Sequence, residues 1–274
     1  MISGVYKMRR IASWTQTYGN NRFLNMQLLQ YDKIGSHIRC SCDYIIFSFH
    51  NCSSDMFEKS KEILEKIFPK DKLIIMTFND CSYLDCYRNI VKKTNDLGCT
   101  DILQIQDDQH GINSKFNIEN LKNIDDIVTI YRNNENIHFF HIFGDEGLPK
   151  PWLVTHEKLN YNEIEVYKFD SRDYKKGDKS IYSWNDGTYF INLNLINQLL
   201  HLPNIPSDVW HMELFLKYVL DNSLIYRWGT NQVIFKASNL FGRNVNRTLT
   251  VHDNLKRFFG ETSDWDIIQS MIEM

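Results

Sequence analysis

Two adjacent carboxylates, Asp107 and Asp108, follow a short run of apolar and amide residues from Ile102 to Ile105. The run has the length of a buried parallel strand. Two carboxylates at the tip of a strand repel each other and lose hydration, so a cation is expected beside them. Oxygen ligands at the carboxyl edge of an α/β sheet suit Mg²⁺ or Mn²⁺ that substrate phosphates also hold. The pair therefore predicts a divalent-metal site, and a solvated Asp-Asp turn is the alternative.

A third carboxylate, Glu213, lies in a helix predicted over residues 207–220 and entered through Pro206. It falls within the apolar stripe of that helix, where a carboxylate is usually either paired or functional because leaving it unpaired is costly. Glu213 is therefore a candidate functional residue, and a buried ion pair is the alternative. The stripe itself consists of Val209, Met212, Leu216, Val219 and Leu220.

The elements that would position the Asp pair alternate between strand and helix four times in roughly 110 residues, which predicts a right-handed βαβ sheet. A polar loop over residues 16–22 follows the first strand. Asp55 is the predicted N-cap of the second helix, and Gly98 is predicted to end the third. The chain contains no GxGxxG motif and no P-loop. The predicted strands are residues 11–15, 43–49, 72–78 and 102–105, and the first helix carries Leu24, Leu28 and Tyr31.

The alternation loosens after Gly111. A helix over residues 117–132 and a strand over residues 137–143 lead to a loop rich in glycine and proline, residues 144–151, which is a candidate boundary. Further strands are predicted over residues 163–169 and up to Asn192. Two short strands, residues 224–228 and 233–237, follow the predicted helix of Glu213.

Composition limits the classes of partner. The net charge of −3 and the pI near 6.3 argue against a nucleic-acid binder that works by bulk electrostatics. No stretch approaches the roughly 20 apolar residues of a membrane span, and the first ten residues lack the apolar core of a signal peptide. The six cysteines show no CxxC pair, so we expect reduced thiols and a cytoplasmic protein.

Three segments carry a resemblance to a known family. Residues 83–89, with Arg88 and Asn89, look like the "ARN" helix of the GT-A nucleotide-sugar glycosyltransferases, and residues 106–109 look like their DxD cluster in variant form. Residues 184–187 are similar to short acceptor-side motifs of these enzymes. The chain resembles family-2-like members well over residues 10–115 and loosely beyond. It departs from many members at Gln109, where they have a third acid.

The resemblance implies an α/β fold, with a GT-A-like, Rossmann-type nucleotide-binding sheet, helices on both of its faces and a smaller mixed α/β acceptor region. Residues 1–145 would form the donor-binding region and residues 146–274 the acceptor-binding and C-terminal region, within one continuous domain. The implied reaction is an inverting transfer of a sugar from a nucleotide-diphosphate sugar to a hydroxyl group of a glycan or glycoconjugate, assisted by Mn²⁺ or Mg²⁺. The alternatives are a metal-dependent phosphohydrolase or nuclease, and a non-catalytic nucleotide-binding module.

The resemblance also implies roles for individual residues. Asp108 would be the principal metal ligand, and His252 would complete the metal site. Glu213 would be the base, with Asp186 as the second candidate. The donor-binding residues would be Thr15, Gln16, Thr17 and Tyr18, with His50 beside them. Asp107 would bind the ribose or a metal-bound water. Arg88 would bind a phosphate or a base edge, and an ion pair with Asp85 or Asp80 is the alternative.

Overall fold

The computed structural model describes residues 8–18, 38–105, 109–111, 119–142, 153–162, 164–174, 188–208, 211–212, 215–216, 219, 227–230 and 235–237. The predicted helix with Leu24, Leu28 and Tyr31 lies outside these residues, as does the predicted boundary at residues 144–151. No helix among the described residues is both long enough and apolar enough to span a membrane.

Strands from both halves of the chain form the sheets of the fold. The strands are β1 (Ile11–Tyr18), β2 (Tyr44–His50), β3 (Leu73–Phe78), β4 (Asp101–Gln104), β5 (Gln109–Gly111), β6 (Phe139–Ile142), β7 (Leu153–Tyr161), β8 (Ile164–Tyr174), β9 (Thr188–Asn192), β10 (Arg227–Thr230) and β11 (Phe235–Ala237). Nine of them form one sheet in the order β3-β2-β1-β4-β9-β6-β10-β8-β7, and β5 pairs separately with β11.

The strands β1 to β4 are parallel, as the alternation predicts. The strand β9 runs antiparallel between β4 and β6, and β10 is parallel to β6. A hairpin of β7 and β8 completes the sheet by antiparallel pairing of β8 with β10. The carboxyl ends of β1 to β4 therefore lie at the same edge as the start of β9.

Helices cover both faces of the sheet. They are α1 (Ser54–Ile67), α2 (Tyr83–Asp96), α3 (Glu119–Asn133) and α4 (Leu193–Leu200). On one face α2 and α4 pack against Trp14 and Ile102. On the other face α1 packs against β2, and α3 packs against β1 and β4. Met212 and Leu216 are fully buried against the first of these faces, which agrees with the apolar stripe predicted around Glu213.

Two local predictions need correction. The predicted loop at Gln16 is wrong because residues 16–18 continue β1, where pairing with β2 outweighs their polar composition. The N-cap of α1 is Ser53 rather than Asp55. Asp55 lies in the first turn of the helix, where the positive end of the helix dipole stabilises its carboxylate. The strand β7 and the helix α4 were not predicted. The helix stop at Gly98 is confirmed by its left-handed φ of 69°.

Candidate functional site

The carboxyl edge of the sheet contains a topological switch point between β1 and β4. From β1 the chain moves outward to β2 and β3, and it then returns to the other side of β1 as β4. In open α/β sheets, ligands bind in the crevice outside the carboxyl ends of the strands at such a point. The sheet order therefore selects the ends of β1 and β4 as the candidate site.

The strand β1 extends beyond β4 at this point. The last pair of the β1–β4 ladder is Trp14 with Gln104, and the Ile105 amide then donates to the Trp14 carbonyl over 2.8 Å. The β1–β2 ladder continues for four more residues, to the pair of Tyr18 with His50. Among the described residues, residues 15–18 of β1 therefore pair only with β2, and we refer to these four residues as the ledge of the crevice.

The ledge contains the predicted donor-binding residues Thr15, Gln16, Thr17 and Tyr18, with His50 beside them. The Oε1 atom of Gln16 and the Oγ1 atom of Thr17 are buried, and neither has a hydrogen-bond partner in the part of the chain that the structure describes. Buried polar atoms are nearly always hydrogen-bonded. These two oxygen atoms are therefore the polar atoms of the ledge that the described residues leave unsatisfied.

Thr15 lies on the same face of β1 as Thr17, and it is also fully buried. Its hydroxyl oxygen accepts a hydrogen bond of 2.6 Å from Nη2 of Arg39, whose guanidinium carbon lies 5.2 Å from the ring centre of Phe47. Burial of Arg39 lowers its pKa to about 9. Thr15 therefore connects the ledge to a buried cation that the sequence did not identify, because nothing in the spacing around Arg39 distinguishes it from a surface residue.

Each of the strands β2 and β3 is followed by a short bend at this same edge of the sheet. Asn51 and Asp80 follow these strands, and both adopt the left-handed conformation, with φ of 51° and 54°. Asn and Asp tolerate this conformation better than other non-glycine residues. The Asn51 side chain accepts a hydrogen bond from the Asp80 amide over 3.1 Å, so each turn supports the other.

Arg88 joins α2 to α4. Its Nε and Nη2 atoms donate to the carbonyl oxygen of Leu200 over 3.1 and 2.8 Å, and its Nη1 lies 3.7 Å from a carboxylate oxygen of Asp85. The predicted alternative, an ion pair with Asp85, is thus present in the structure. A contact with the donor is not tested by this geometry and stays a prediction.

The helix predicted to carry Glu213 starts near this edge. The Leu84 amide, in the first turn of α2, donates to the Ser207 carbonyl over 3.2 Å. Because α2 follows β3, its first turn lies at the carboxyl edge. Asp208 then binds the backbone amide and the ring of His211, and these bonds lower the pKa of its carboxyl group.

Five predicted site residues lie outside the described residues: Asp107, Asp108, Asp186, Glu213 and His252. The Asp pair falls between Ile105 and β5, and β5 pairs with β11 from the second half of the chain. Within the described part, no group of three or more His, Cys, Asp or Glu side chains could hold a metal ion. The predicted metal site is therefore neither supported nor contradicted.

No protein-family profile matches the chain, and no curated protein does. Among solved structures, the chain is similar to S. aureus TarS 1–349 in complex with UDP-GlcNAc, with 11% identity and a TM-score of 0.50, over 96% of this chain and 71% of that chain.

Two further likenesses are weaker. A second structure of TarS 1–349 has 13% identity and a TM-score of 0.49, over 96% of this chain and 70% of that chain. UDP-glucose pyrophosphorylase complexed with UDP-glucose has 14% identity and a TM-score of 0.42, over 84% and 92%. Neither of these two TM-scores is high enough to establish a shared fold. The likeness to the UDP-GlcNAc complex of TarS, together with the sheet order, shows that the chain has the predicted GT-A-like α/β fold.

Proposed function

We propose that this chain is a glycosyltransferase that transfers a sugar from a nucleotide-diphosphate sugar to a hydroxyl group of a glycan or glycoconjugate. The observation that carries the proposal is the polar ledge of β1, which borders the crevice at the switch point. In the chain, the Asp pair comes shortly after the end of β4. A solved structure of the same fold, that of TarS, contains UDP-GlcNAc, which favours a nucleotide sugar as the ligand.

In this proposal the donor lies along the ledge. Gln16 and Thr17 carry oxygen atoms that no described residue satisfies, and His50 lies at the end of the neighbouring strand. Asp107 would bind the ribose or a metal-bound water. Arg88 is a weaker candidate, because its guanidinium group is already held by Leu200 and Asp85.

Asp108 and His252 would hold a divalent cation, Mn²⁺ or Mg²⁺. The cation would stabilise the negative charge that develops on the departing nucleoside diphosphate. Because both residues lie outside the described part of the chain, their ligand roles are supported by the position of Asp108 after β4 and by residue type alone.

Glu213 is the proposed base for the acceptor hydroxyl, with Asp186 as the second candidate. The start of the helix that would carry Glu213 contacts the first turn of α2 at the carboxyl edge, which supports this placement. Glu213→Gln should lower turnover by about 10²–10⁴-fold with donor binding retained, because it removes the proton acceptor but keeps the size. Full turnover with a loss of stability in denaturant melts would make Glu213 structural and Asp186 the residue to examine next.

The proposal is tested by thermal-shift measurements with UDP, GDP, CDP, ADP and TDP, each with and without Mn²⁺. A nucleotide-sugar enzyme should show a rise in melting temperature with one nucleotide, because a ligand that binds only the folded state stabilises it. The rise should be larger with Mn²⁺ present. No shift with any nucleotide under either condition would contradict the proposal.

A further inference from the structure

A buried polar cluster lies directly beneath the candidate site. It consists of Gln104 at the end of β4, Tyr87 in α2 and Tyr189 in β9, which are at most 7% exposed. The Oε1 atom of Gln104 accepts a hydrogen bond of 2.7 Å from the Tyr87 hydroxyl and a second hydrogen bond from the Tyr189 hydroxyl. The two hydroxyl oxygens are 3.2 Å apart. Three elements of the fold therefore meet at one side-chain oxygen.

The cluster continues across the sheet. The ring centres of Tyr87 and Trp14 are 4.5 Å apart, and the indole Nε1 of Trp14 donates to the hydroxyl oxygen of Ser48 over 2.8 Å. With Trp14 and Ser48 included, the cluster thus extends from β2 through β1 and α2 to β4 and β9. Satisfied polar networks in a core are directional, so they fix the relative position of the elements more narrowly than apolar packing does.

The position of the cluster along the chain connects it to the site. Gln104 is followed by Ile105 and then by the segment that carries Asp107 and Asp108. Tyr189 is the second residue of β9, and the segment that carries Asp186 enters β9 at Thr188. Because β4 and β9 are antiparallel neighbours, both segments leave the sheet at the same edge, with Gln104 paired directly to Tyr189.

We propose that Tyr87, Gln104 and Tyr189 are positioning residues for the transfer reaction. They hold the end of β4 and the start of β9 at a fixed separation and thereby align the two acidic segments that leave these strand ends. The inference rests on the proposed function for its catalytic consequence. The mechanical part, a fixed strand end, depends only on the described contacts.

The mechanical part is tested by amide hydrogen exchange in Tyr87→Phe and Tyr189→Phe. Each substitution removes one hydroxyl and keeps the ring, so the fold should be retained. Exchange in the peptide covering residues 105–111 should accelerate about fivefold, the effect of one lost hydrogen bond on local opening.

Tyr131→Phe is the matched control. It removes a buried hydroxyl that donates to Asp101 over 2.8 Å at the opposite edge of the sheet. Exchange over residues 105–111 should stay at the wild-type rate in this variant. Equal exchange in all three variants, or equal acceleration in all three, would overturn the inference.

The catalytic part is tested by the affinity for UDP in the presence of Mn²⁺. In metal sites, changes in the residues that orient the metal ligands typically cost about 10- to 100-fold in affinity or activity. Tyr87→Phe and Tyr189→Phe should therefore weaken Mn²⁺-dependent UDP binding about tenfold, while Tyr131→Phe should not. Unchanged affinity in all variants overturns the catalytic part. A wild-type protein that binds none of the nucleotide diphosphates contradicts the proposed function, and the exchange rates then decide the mechanical part alone.

Discussion

The sequence leaves two interpretations of Arg88 open: a contact with the donor, or an ion pair with Asp85 or Asp80. Its position in a motif that resembles the "ARN" helix predicts a contact with the donor. In the structure its planar fork is directed at the last residue of α4, Leu200, and its third nitrogen faces Asp85. The ion pair with Asp85 that the sequence left open as the alternative is present, Arg88 also joins α2 to α4, and a contact with the donor stays a prediction.

Arg88→Lys should therefore lower the stability of the protein more than its affinity for the donor. A lysine keeps the charge but cannot place two parallel donors on the Leu200 carbonyl, so the free energy of unfolding should fall by about 1 kcal/mol. Denaturant melts and calorimetric UDP binding on the same preparation measure both quantities.

Arg132→Lys is the matched control, because Arg132 binds the Ser41 carbonyl and the Asp43 carboxylate at the amino edge. Both variants should lose stability and keep UDP affinity. A loss of about 1–3 kcal/mol in UDP binding by Arg88→Lys alone, without a change in stability, would restore the donor-contact role.

At the scale of elements, the two helices that follow β2 and β3 begin in different ways. The N-cap of α2, Ser82, accepts a hydrogen bond from the Asp85 amide and donates to its carboxylate. The N-cap of α1, Ser53, has the same extended backbone but makes no side-chain capping bond. Replacing each serine in turn therefore measures the contribution of the capping hydrogen bond to stability apart from that of the serine side chain itself.

Ser82→Ala should lower the free energy of unfolding by about 1 kcal/mol, whereas Ser53→Ala should lower it by only a few tenths. Urea denaturation followed by circular dichroism measures both. Equal losses in the two variants would contradict the account, because the capping bond would then contribute nothing.

The elements also show which features of the fold could be predicted. The parallel strands β1 to β4 have strong apolar runs separated by helices, and their alternation was sufficient to predict the sheet. The extension of β1 through Gln16 was missed because pairing with β2, rather than local composition, makes polar residues extended. Helix α4 follows β9 directly after a side-chain cap by Asn192, and it has no loop residues in front of it to mark its start.

For the site, the sequence placed Thr15 to Tyr18 and His50 at the carboxyl edge, where the structure brings them together, and their role in donor binding stays a prediction. It could not identify Gln104 with its two tyrosines, because Tyr87, Gln104 and Tyr189 are distant in the chain and converge only through the sheet order. Arg39 was missed for the same reason. Residues whose function depends on tertiary neighbours carry no local pattern.

At the scale of the whole molecule, strands from both halves of the chain share one sheet, and β11 from the second half pairs with β5 directly after the Asp pair. The proposed function predicts that this edge binds a nucleotide-diphosphate sugar with help from a cation at Asp108. Calorimetry of UDP binding, with and without Mn²⁺, tests it in the wild-type protein and in Asp108→Ala.

The claim predicts that Mn²⁺ strengthens UDP binding by the wild-type protein, and that Asp108→Ala abolishes this gain while the protein stays folded, since a carboxylate after a strand end adds little to the core. Asp96→Ala, an exposed carboxylate at the end of α2, should keep the gain. The same Mn²⁺ dependence in wild type and Asp108→Ala, with equal UDP affinity, would contradict the claim.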